Sequence, residues 1–237
     1  MNLFSGTVSK IELGEDRGLR AVISCPTQFI PEPGQYLQAH SISDRDAVTA
    51  FSLFPGDQPG EDHGDPMSSF TAAPPIPLHW QPGDTLTLRG PLGQGFSIPE
   101  NTKHVGLVAL GDTVSRLLPL SSPIINAGGE VALFSDTPLP RLPTQVEANP
   151  LKALADALTW ADFLAFDGPL ETFKDVRNFL GLSYQDPLPC PAQALVYTPM
   201  PCGGMADCGV CAVKWKGKKY KLACKDGPVF QWDLVGG

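Results

Sequence analysis

Residues 201–211 read Pro-Cys-Gly-Gly-Met-Ala-Asp-Cys-Gly-Val-Cys, and one further cysteine follows at position 224. Four of the six cysteines thus follow the pattern C-x5-C-x2-C-x12-C. Three thiolates on a glycine-containing loop, with a fourth from a following hairpin, are typical of a plant-type 2Fe–2S centre, whose usual spacing is C-x4-C-x2-C…C. The present loop has one extra residue. The pattern predicts four cluster ligands: Cys202, Cys208, Cys211 and Cys224.

Two other uses of four cysteines stay open at this point. A structural zinc site also takes four thiolates, but zinc ribbons generally use two C-x2-C pairs, and this segment has one. Disulfides need an oxidising compartment, for which nothing in the chain argues. The segment contains no histidine, which disfavours a Rieske-type centre. The spacing therefore favours an iron–sulfur cluster over zinc, and zinc over disulfides.

Composition narrows the classes of protein that the chain can be. Its 237 residues allow one large domain or two to three small ones. Proline (25) and glycine (24) are abundant, which favours short strands and turns over a helical bundle. The net charge of −8 gives no reason to expect nucleic acid as a partner. Residues 1–6 lack the features of a signal peptide, and no apolar run has membrane-spanning length, so we expect a soluble cytoplasmic protein.

Residues 1–100 predict a small antiparallel β-barrel. Short segments of strand-like composition recur between turn signals, without a helical period. These segments are residues 4–10, 19–24, 35–37, 49–54, 69–71 and 85–88. Residues 55–66 (PGDQPGEDHGDP) have no apolar periodicity and predict a solvated loop.

Residues 101–186 predict a small α/β domain with a parallel sheet of three or four strands. Continuous apolar runs at 105–110, 131–134 and 163–166 are typical of strands buried on both faces. Asn149 and Pro150 predict the start of one helix, and residues 170–180 a second that ends at Gly181. A proline-rich connector at 187–191 then opens the third predicted domain, residues 187–237, which holds the cluster. Two cysteines outside the motif predict ordinary thiols: Cys25 and Cys190.

This order of parts resembles the electron-transfer subunit of dihydroorotate dehydrogenase, a family within the ferredoxin–NADP reductase-like group. The resemblance covers essentially the whole chain. Its most specific pieces are the cysteine loop, the tail Cys-Lys-Asp-Gly-Pro-Val-Phe at 224–230, and Gly-Pro-Leu-Gly-Gln-Gly-Phe at 90–96. It implies FAD in the barrel, a nicotinamide nucleotide at the α/β domain, and a 2Fe–2S cluster that relays electrons to a flavin-containing catalytic subunit in a hetero-oligomer.

The residues depart from the family where FAD would bind. The family's Arg-x-Tyr-Ser signature corresponds to Thr49-Ala50-Phe51-Ser52, so the resemblance places Phe51 and Ser52 at the flavin while the arginine that meets its pyrophosphate is missing. The family's Gly-x-Gly-Thr turn corresponds to Pro74-Pro75-Ile76-Pro77, which offers no amide hydrogen at its prolines. No Lys or Arg occurs between Arg45 and Arg89. FAD is implied by the resemblance and disfavoured by the residues.

The nicotinamide side departs in the same way. After the first α/β strand, related reductases have a glycine-rich turn that lets a phosphate approach a helix N-terminus. The corresponding residues are Gly111, Asp112 and Thr113, with one glycine and a carboxylate in the path of a phosphate. They predict a degenerate nucleotide turn, and capping preference also fits Asp112-Thr113 as a helix cap. We therefore expect no NAD.

A basic hairpin follows the third cysteine. Six lysines lie within twelve residues around Gly217 and either offset the negative cluster or steer an acidic partner. They are Lys214, Lys216, Lys218, Lys219, Lys221 and Lys225.

No set of residues in the sequence argues for an autonomous catalytic site. The four histidines lie outside recognisable motifs, and no catalytic residue is predicted. The first hypothesis is an electron-transfer subunit of an oxidoreductase, which passes electrons through a 2Fe–2S cluster to or from a flavoenzyme partner of dihydroorotate dehydrogenase type. The alternative is a partner-binding or scaffold protein with a structural four-cysteine zinc site. The sequence names neither the electron donor nor the final substrate.

Overall fold

A computed structural model describes the chain at residues 3–41, 50–59, 67–183, 186–214 and 219–235. These residues form a β-barrel, an α/β sheet with helices, and a cysteine-containing segment at one edge of that sheet. The predicted class of fold, a barrel followed by an α/β domain and a cluster-binding segment, is confirmed.

The described residues of the N-terminal barrel form seven antiparallel strands. In chain order they are β1 (Leu3–Leu13), β2 (Leu19–Pro26), β3 (Tyr36–Ser41), β4 (Phe51–Leu53), β5 (Pro55–Pro59), β6 (Met67–Ala72) and β7 (Thr85–Leu92). They pair in the order β4-β3-β7-β1-β2-β6-β5. Because the two edge strands β4 and β5 are consecutive in the chain, the sheet curls until it nearly closes. Alternate side chains point inward and fill the interior with aliphatic and aromatic groups, among them Ile23, Leu86 and Leu88.

The solvated loop predicted at residues 55–66 is wrong for its first part. Pro55–Pro59 is strand β5 and pairs with β6. An edge strand tolerates proline because one row of its amide groups has no partner strand, and the alternating apolar pattern is weak there. Residues 60–66 lie outside the described residues.

In the described part of the chain after the barrel, eight further strands follow. They are β8 (His104–Ala109), β9 (Glu130–Phe134), β10 (Val146–Asn149), β11 (Phe163–Gly168), β12 (Ala192–Val196), β13 (Ala212–Lys214), β14 (Tyr220–Leu222) and β15 (Val229–Gln231). Six of them form one sheet in the order β10-β9-β8-β11-β12-β15, in which β15 alone runs antiparallel. Strands β13 and β14 form a separate antiparallel hairpin. The sheet is larger than the three or four strands predicted, because the edge strands β10 and β15 lack long apolar runs.

Four short α-helices accompany the sheet: α1 (Ser121–Asn126), α2 (Leu154–Ala157), α3 (Leu170–Phe179) and α4 (Ala223–Asp226). Helix α3 confirms its prediction, and Gly181 follows with a positive φ of 67°. The predicted cap at Asn149 is wrong, since that residue ends β10 and a 3-10 helix at Leu151–Ala153 precedes α2. None of the described helices is long and apolar enough to cross a bilayer.

The remaining elements with helical geometry are 3-10 turns. They are Thr27–Phe29, Leu118–Leu120, Leu151–Ala153 and Trp232–Leu234.

One apolar cluster joins the three parts of the molecule. It runs from Tyr36 and Phe54 of the barrel, across one face of the sheet, to Cys224 and Trp232 beside the cysteine loop. The chain leaves the sheet after β12 and returns to it as β15, directly next to β12. The cysteine segment is therefore held at the sheet edge from both of its ends. Both ends of the predicted domain 187–237 contribute to the α/β sheet.

Candidate metal centre and the crevices around it

The four cysteines of the motif come together as two pairs. The Sγ atoms of Cys202 and Cys208 are 3.5 Å apart, and those of Cys211 and Cys224 are 3.2 Å apart. Thiolates arranged tetrahedrally at about 2.3 Å from one metal lie about 3.8 Å from each other, which both pairs approach. Both distances exceed the roughly 2.05 Å of a disulfide bond.

The pairing bears on the kind of metal that the site can hold. A mononuclear zinc site needs all four sulfurs around one point, whereas a 2Fe–2S cluster needs two sulfurs at each iron. Among the described residues, no three His, Cys, Asp or Glu side chains form a group that could hold one metal ion. Two pairs of sulfurs, each close to the separation expected at one metal, fit the binuclear cluster. Sequence spacing alone did not predict which cysteines pair.

Three glycines allow the tight turns of the loop around the first cysteine pair. Gly203, Gly204 and Gly209 have φ values of +48°, +81° and +75°, a region that side chains with a Cβ rarely adopt. The resulting turns are closed by Gly203 N, which donates to Met200 O at 3.1 Å, and by Met205 N, which donates to Cys202 O at 3.0 Å. The backbone can thus fold back under the first ligand.

The two pairs differ in environment. Cys208 is exposed and Cys202 partly buried, whereas Cys211 and Cys224 are buried. Burial raises the pKa of Cys202, but backbone hydrogen bonds at Ala206 and Gly204 outweigh it and lower the pKa to about 7. Burial, together with the neighbouring Cys211, raises the pKa of Cys224 to about 12. Cys202 Sγ also lies 3.0 Å from Ala206 O, so the outer loop contacts this sulfur through its main chain.

Barrel side chains support the loop from below. Gln38 Nε2 donates to Met200 O at 2.7 Å, and Arg89 Nη2 donates to Gly203 O at 2.8 Å. Tyr36 Oη lies 3.4 Å from Cys224 O. The sequence did not predict Gln38 and Arg89 at this site, because no local motif connects a barrel strand to a loop more than 100 residues later.

The two other motifs that carry the resemblance meet in space. Gln94 N, within the glycine-rich stretch 90–96, donates to Gly227 O at 2.6 Å, and Gln94 bridges to Pro228. A Cβ added at Gly93 would lie 2.5 Å from Pro228 Cδ. The stretch thus packs against the tail that carries the fourth cysteine.

Phe51 and Ser52, the residues predicted at the flavin, line a cavity of about 390 Å³. The opposite wall is the segment 197–201, which ends one residue before Cys202. Phe51 is 39% exposed and packs edge-on against Trp80 at 6.1 Å between ring centroids. The cavity lies between the barrel and the α/β domain and is at the small end of the range for ligand sites, which is roughly 300–1,000 Å³.

The degenerate nucleotide turn is not a helix cap. No described helix begins at Asp112 or Thr113; Thr113 Oγ1 instead accepts from Ser115 N at 3.1 Å within a turn. Gly111 and Asp112 follow β8, and the exposed Asp112 carboxylate lies 3.6 Å from Arg116. The capping alternative is therefore wrong, because the chain makes a turn here and enters a helical segment only at Leu118.

Arg116 occupies the crevice beside this turn. Its Nε donates to both carboxylate oxygens of Asp167, at 2.9 and 3.1 Å, and its guanidinium lies 4.1 Å from the centre of the Tyr197 ring. Its Nη1 also donates to Pro74 O of the barrel at 3.0 Å. These groups lie at the carboxyl ends of β8, β11 and β12, the edge at which open α/β sheets bind nucleotides. Side chains of the protein thus fill the place of a ligand.

The pKa of Asp167 reflects its burial and its ion pair with Arg116. Burial raises the pKa of Asp167 to about 6, although the guanidinium of Arg116 opposes that rise. Asp167 is fully buried and Arg116 is 1% exposed. The pair uses Arg116 Nε, whereas Arg116 Nη2 is buried without a hydrogen-bond partner among the described residues.

Comparisons with known proteins agree with this geometry. Residues 198–236 match the family model of the iron–sulfur cluster binding domain of dihydroorotate dehydrogenase B. The cysteine segment is therefore an iron–sulfur cluster binding domain of that type, and the resemblance predicted from the sequence is confirmed. A search of curated proteins finds no match to the sequence.

Solved structures share the fold over three quarters or more of this chain. An NADH-dependent reduced ferredoxin–NADP oxidoreductase superposes with a TM-score of 0.70 at 20% identity, covering 97% of this chain and 89% of that chain. The ferredoxin reductase of a carbazole 1,9a-dioxygenase gives 0.56 at 15% identity, covering 77% and 67%. A ferredoxin–NADP reductase from Neisseria gonorrhoeae gives 0.50 at 13% identity, covering 76% and 91%. The barrel and the sheet therefore have the ferredoxin reductase-like fold.

Proposed function

We propose that the chain is a non-autonomous electron-transfer subunit of an oxidoreductase. Cys202 and Cys208 would hold one iron of a 2Fe–2S cluster, and Cys211 and Cys224 the other. The observation that carries this proposal is the separation of the four sulfurs into two pairs, within a segment that matches an iron–sulfur domain. When bound, such a cluster accepts and donates one electron at a time.

The exposed face of the site supports a protein partner. Cys208 is exposed, and three large apolar residues on the cysteine loop and its hairpin are more than half exposed: Met205 (65%), Val210 (55%) and Tyr220 (65%). Apolar groups in water next to a redox centre favour burial against another chain. We propose a flavin-containing catalytic subunit of dihydroorotate dehydrogenase type in a hetero-oligomer, without nucleic acid.

The basic hairpin is further evidence that this surface binds a protein partner. Lys214 and Lys219 are exposed beside it, while Lys225 contacts Asp207 and Lys221 lies 3.3 Å from Asp226. Some lysines thus balance local carboxylates, and the others leave a basic rim. Lys216 and Lys218 lie outside the described residues. A basic rim around an apolar centre complements an acidic partner surface and raises the rate of association.

The cavity lined by Phe51 and Ser52 and the carboxyl edge of the α/β sheet bear on whether the chain binds FAD and NAD. We propose that FAD is at most weakly held, since Arg89 donates to the cysteine loop, Arg116 donates through Nε to Asp167 and through Nη1 to Pro74 O, and neither lines the cavity beside Phe51 and Ser52. We further propose that the α/β domain binds no NAD, because Arg116 fills the crevice. The cytoplasm, where thiols stay reduced, suits the four ligands.

Metal analysis tests the proposal against the zinc-scaffold alternative. Protein purified without oxygen should show visible charge-transfer absorption that bleaches with dithionite, with about two irons and two sulfides per chain. Stoichiometric zinc without visible absorption would refute the electron-transfer function and favour the scaffold.

Association with a partner is tested separately. Affinity purification under anaerobic conditions should recover a flavoprotein, whose complex is then reconstituted. Tyr220→Glu should weaken that complex at least tenfold while the cluster spectrum stays unchanged. Leu78→Glu is the matched control, since Leu78 is 87% exposed on the barrel and should not change the affinity. Equal losses in both variants would contradict the proposed surface.

A further inference from the structure

Gln38 and Arg89 form a cross-strand pair at the cluster end of the barrel. They lie opposite each other on β3 and β7 and are 3% and 5% exposed. Arg89 Nη2 contacts Gln38 Oε1, so the two side chains orient each other. A buried arginine and glutamine are costly to desolvate unless their polar atoms are bonded. Their bonds lead to the cysteine loop.

The pair contacts the main chain on both sides of the first ligand. Gln38 donates to Met200 O, while Arg89 Nη2 donates to Cys202 O at 3.1 Å and to Gly203 O at 2.8 Å. A Cβ added at Gly203 would lie 2.1 Å from Arg89 Nη2, so the loop rests directly on the guanidinium. Three carbonyls within residues 200–203 are thereby held by one barrel pair.

The same pair places a positive charge beside the main chain of the first ligand, 3.1 Å from Cys202 O. Arginine stays protonated in proteins, and its charge acts strongly where water is excluded. Arg89 is 5% exposed, so little water screens its charge from the ligand loop.

We propose that Arg89, oriented by Gln38, is a positioning residue that holds the loop of the first ligand and raises the reduction potential of the cluster. This inference rests on the proposed function. A 2Fe–2S cluster with four thiolates gains one negative charge when it takes up an electron, and a fixed cation nearby favours the more negative state. The charge of Arg89 thus makes the cluster easier to reduce.

The test measures the midpoint potential of the cluster-loaded protein by dye-monitored titration. Arg89→Gln should lower the equilibrium constant for reduction at least tenfold, which is about 59 mV for one electron. Arg89→Lys keeps the charge and should shift the potential less than Arg89→Gln, while losing iron faster because the fork of donors is gone. Arg141→Gln removes an exposed arginine and should stay within twofold of wild type.

A second pair of variants isolates the charge. Gln38→Glu and Gln38→Leu both lose the donor to Met200 O, but only the glutamate offsets the guanidinium. Gln38→Glu should lower the equilibrium constant about threefold or more relative to Gln38→Leu, and this comparison decides the inference if Arg89→Gln retains no iron.

Two results would overturn the inference. If neither Arg89→Gln nor Gln38→Glu changes the midpoint potential of the iron-loaded protein, the inference is overturned and the proposed function stands. A wild-type protein that holds zinc instead of iron would overturn it together with the proposed function.

Discussion

The family resemblance implied a redox cofactor both at the cysteine loop and at the carboxyl edge of the α/β sheet. The two regions differ in the side chains that occupy them. At the loop, four sulfurs come together in two pairs, 3.5 and 3.2 Å apart. At the sheet edge, Arg116, Asp167 and Tyr197 occupy the crevice themselves. A fold can thus keep the architecture of a nucleotide domain while its ligand groups are engaged internally. The predictions below test this contrast.

The largest effect should come from the ligands. Changing any one of Cys202, Cys208, Cys211 or Cys224 to serine should abolish the cluster, because each iron then lacks a thiolate. Iron content and the visible spectrum measure the loss. Cys25→Ser and Cys190→Ser should leave both unchanged. Loss of iron in Cys190→Ser with retention in Cys202→Ser would contradict the ligand set.

At the filled crevice, Arg116→Leu should destabilise the fold by about 3–5 kcal/mol, because it leaves the Asp167 carboxylate buried without its cation. Urea unfolding followed by near-ultraviolet circular dichroism measures the change. Arg141→Leu, at an exposed position, should change the unfolding free energy by less than about 0.5 kcal/mol. Equal stability of Arg116→Leu and wild type would show that the crevice is not held by this pair.

Flavin content probes the cavity lined by Phe51 and Ser52. We expect well below one FAD per chain while iron stays near two, because loss of two phosphate contacts weakens binding by several factors of ten. Acid-released flavin from a cluster-replete sample gives the ratio. Stoichiometric FAD would mean that backbone amides or a base outside the described contacts compensate.

The pH dependence of the unfolding free energy should reflect the titration of Asp167. Its pKa is about 6 in the folded chain against about 3.9 in an unfolded one, so the folded state binds more protons between these values. This group therefore lowers stability as pH rises from 4 to 7, by up to about 3 kcal/mol. The difference in unfolding free energy between wild type and Asp167→Asn should follow that curve. A constant difference would contradict it.

The smallest expected effect is the response to NADH. Because Arg116 fills the crevice and Asp112 faces it, NADH or NADPH should not reduce the cluster of the isolated protein at a useful rate. Stopped-flow absorbance measures bleaching, with dithionite as the positive control. Bleaching within seconds of adding NADH would show that the crevice opens, and the contrast between the two regions would disappear.

Much of the fold could be predicted from the sequence because its signals are local. Apolar runs at 105–110 and 163–166 specify strands buried on both faces, and Gly181 specifies a helix end. The edge strands β5 and β10 were not predicted. They carry proline or exposed polar residues, which an edge strand tolerates because only one of its sides is paired. The cap predicted at Asp112-Thr113 failed because a turn used the same hydroxyl.

The sequence by itself determined the four cysteines and their segment, since ligand type and spacing on one loop are properties of neighbouring residues. Tertiary structure alone decided how they pair, because the fourth sulfur comes from beyond a hairpin. It also decided the roles of Arg89 and Arg116, whose partners no local motif in the sequence indicates. Each is committed by partners far away in the chain, Arg89 by the loop at 202–203 and Arg116 by Asp167 and Pro74. A buried guanidinium binds whichever carbonyl or carboxylate the fold brings within reach, and no local pattern encodes that partner.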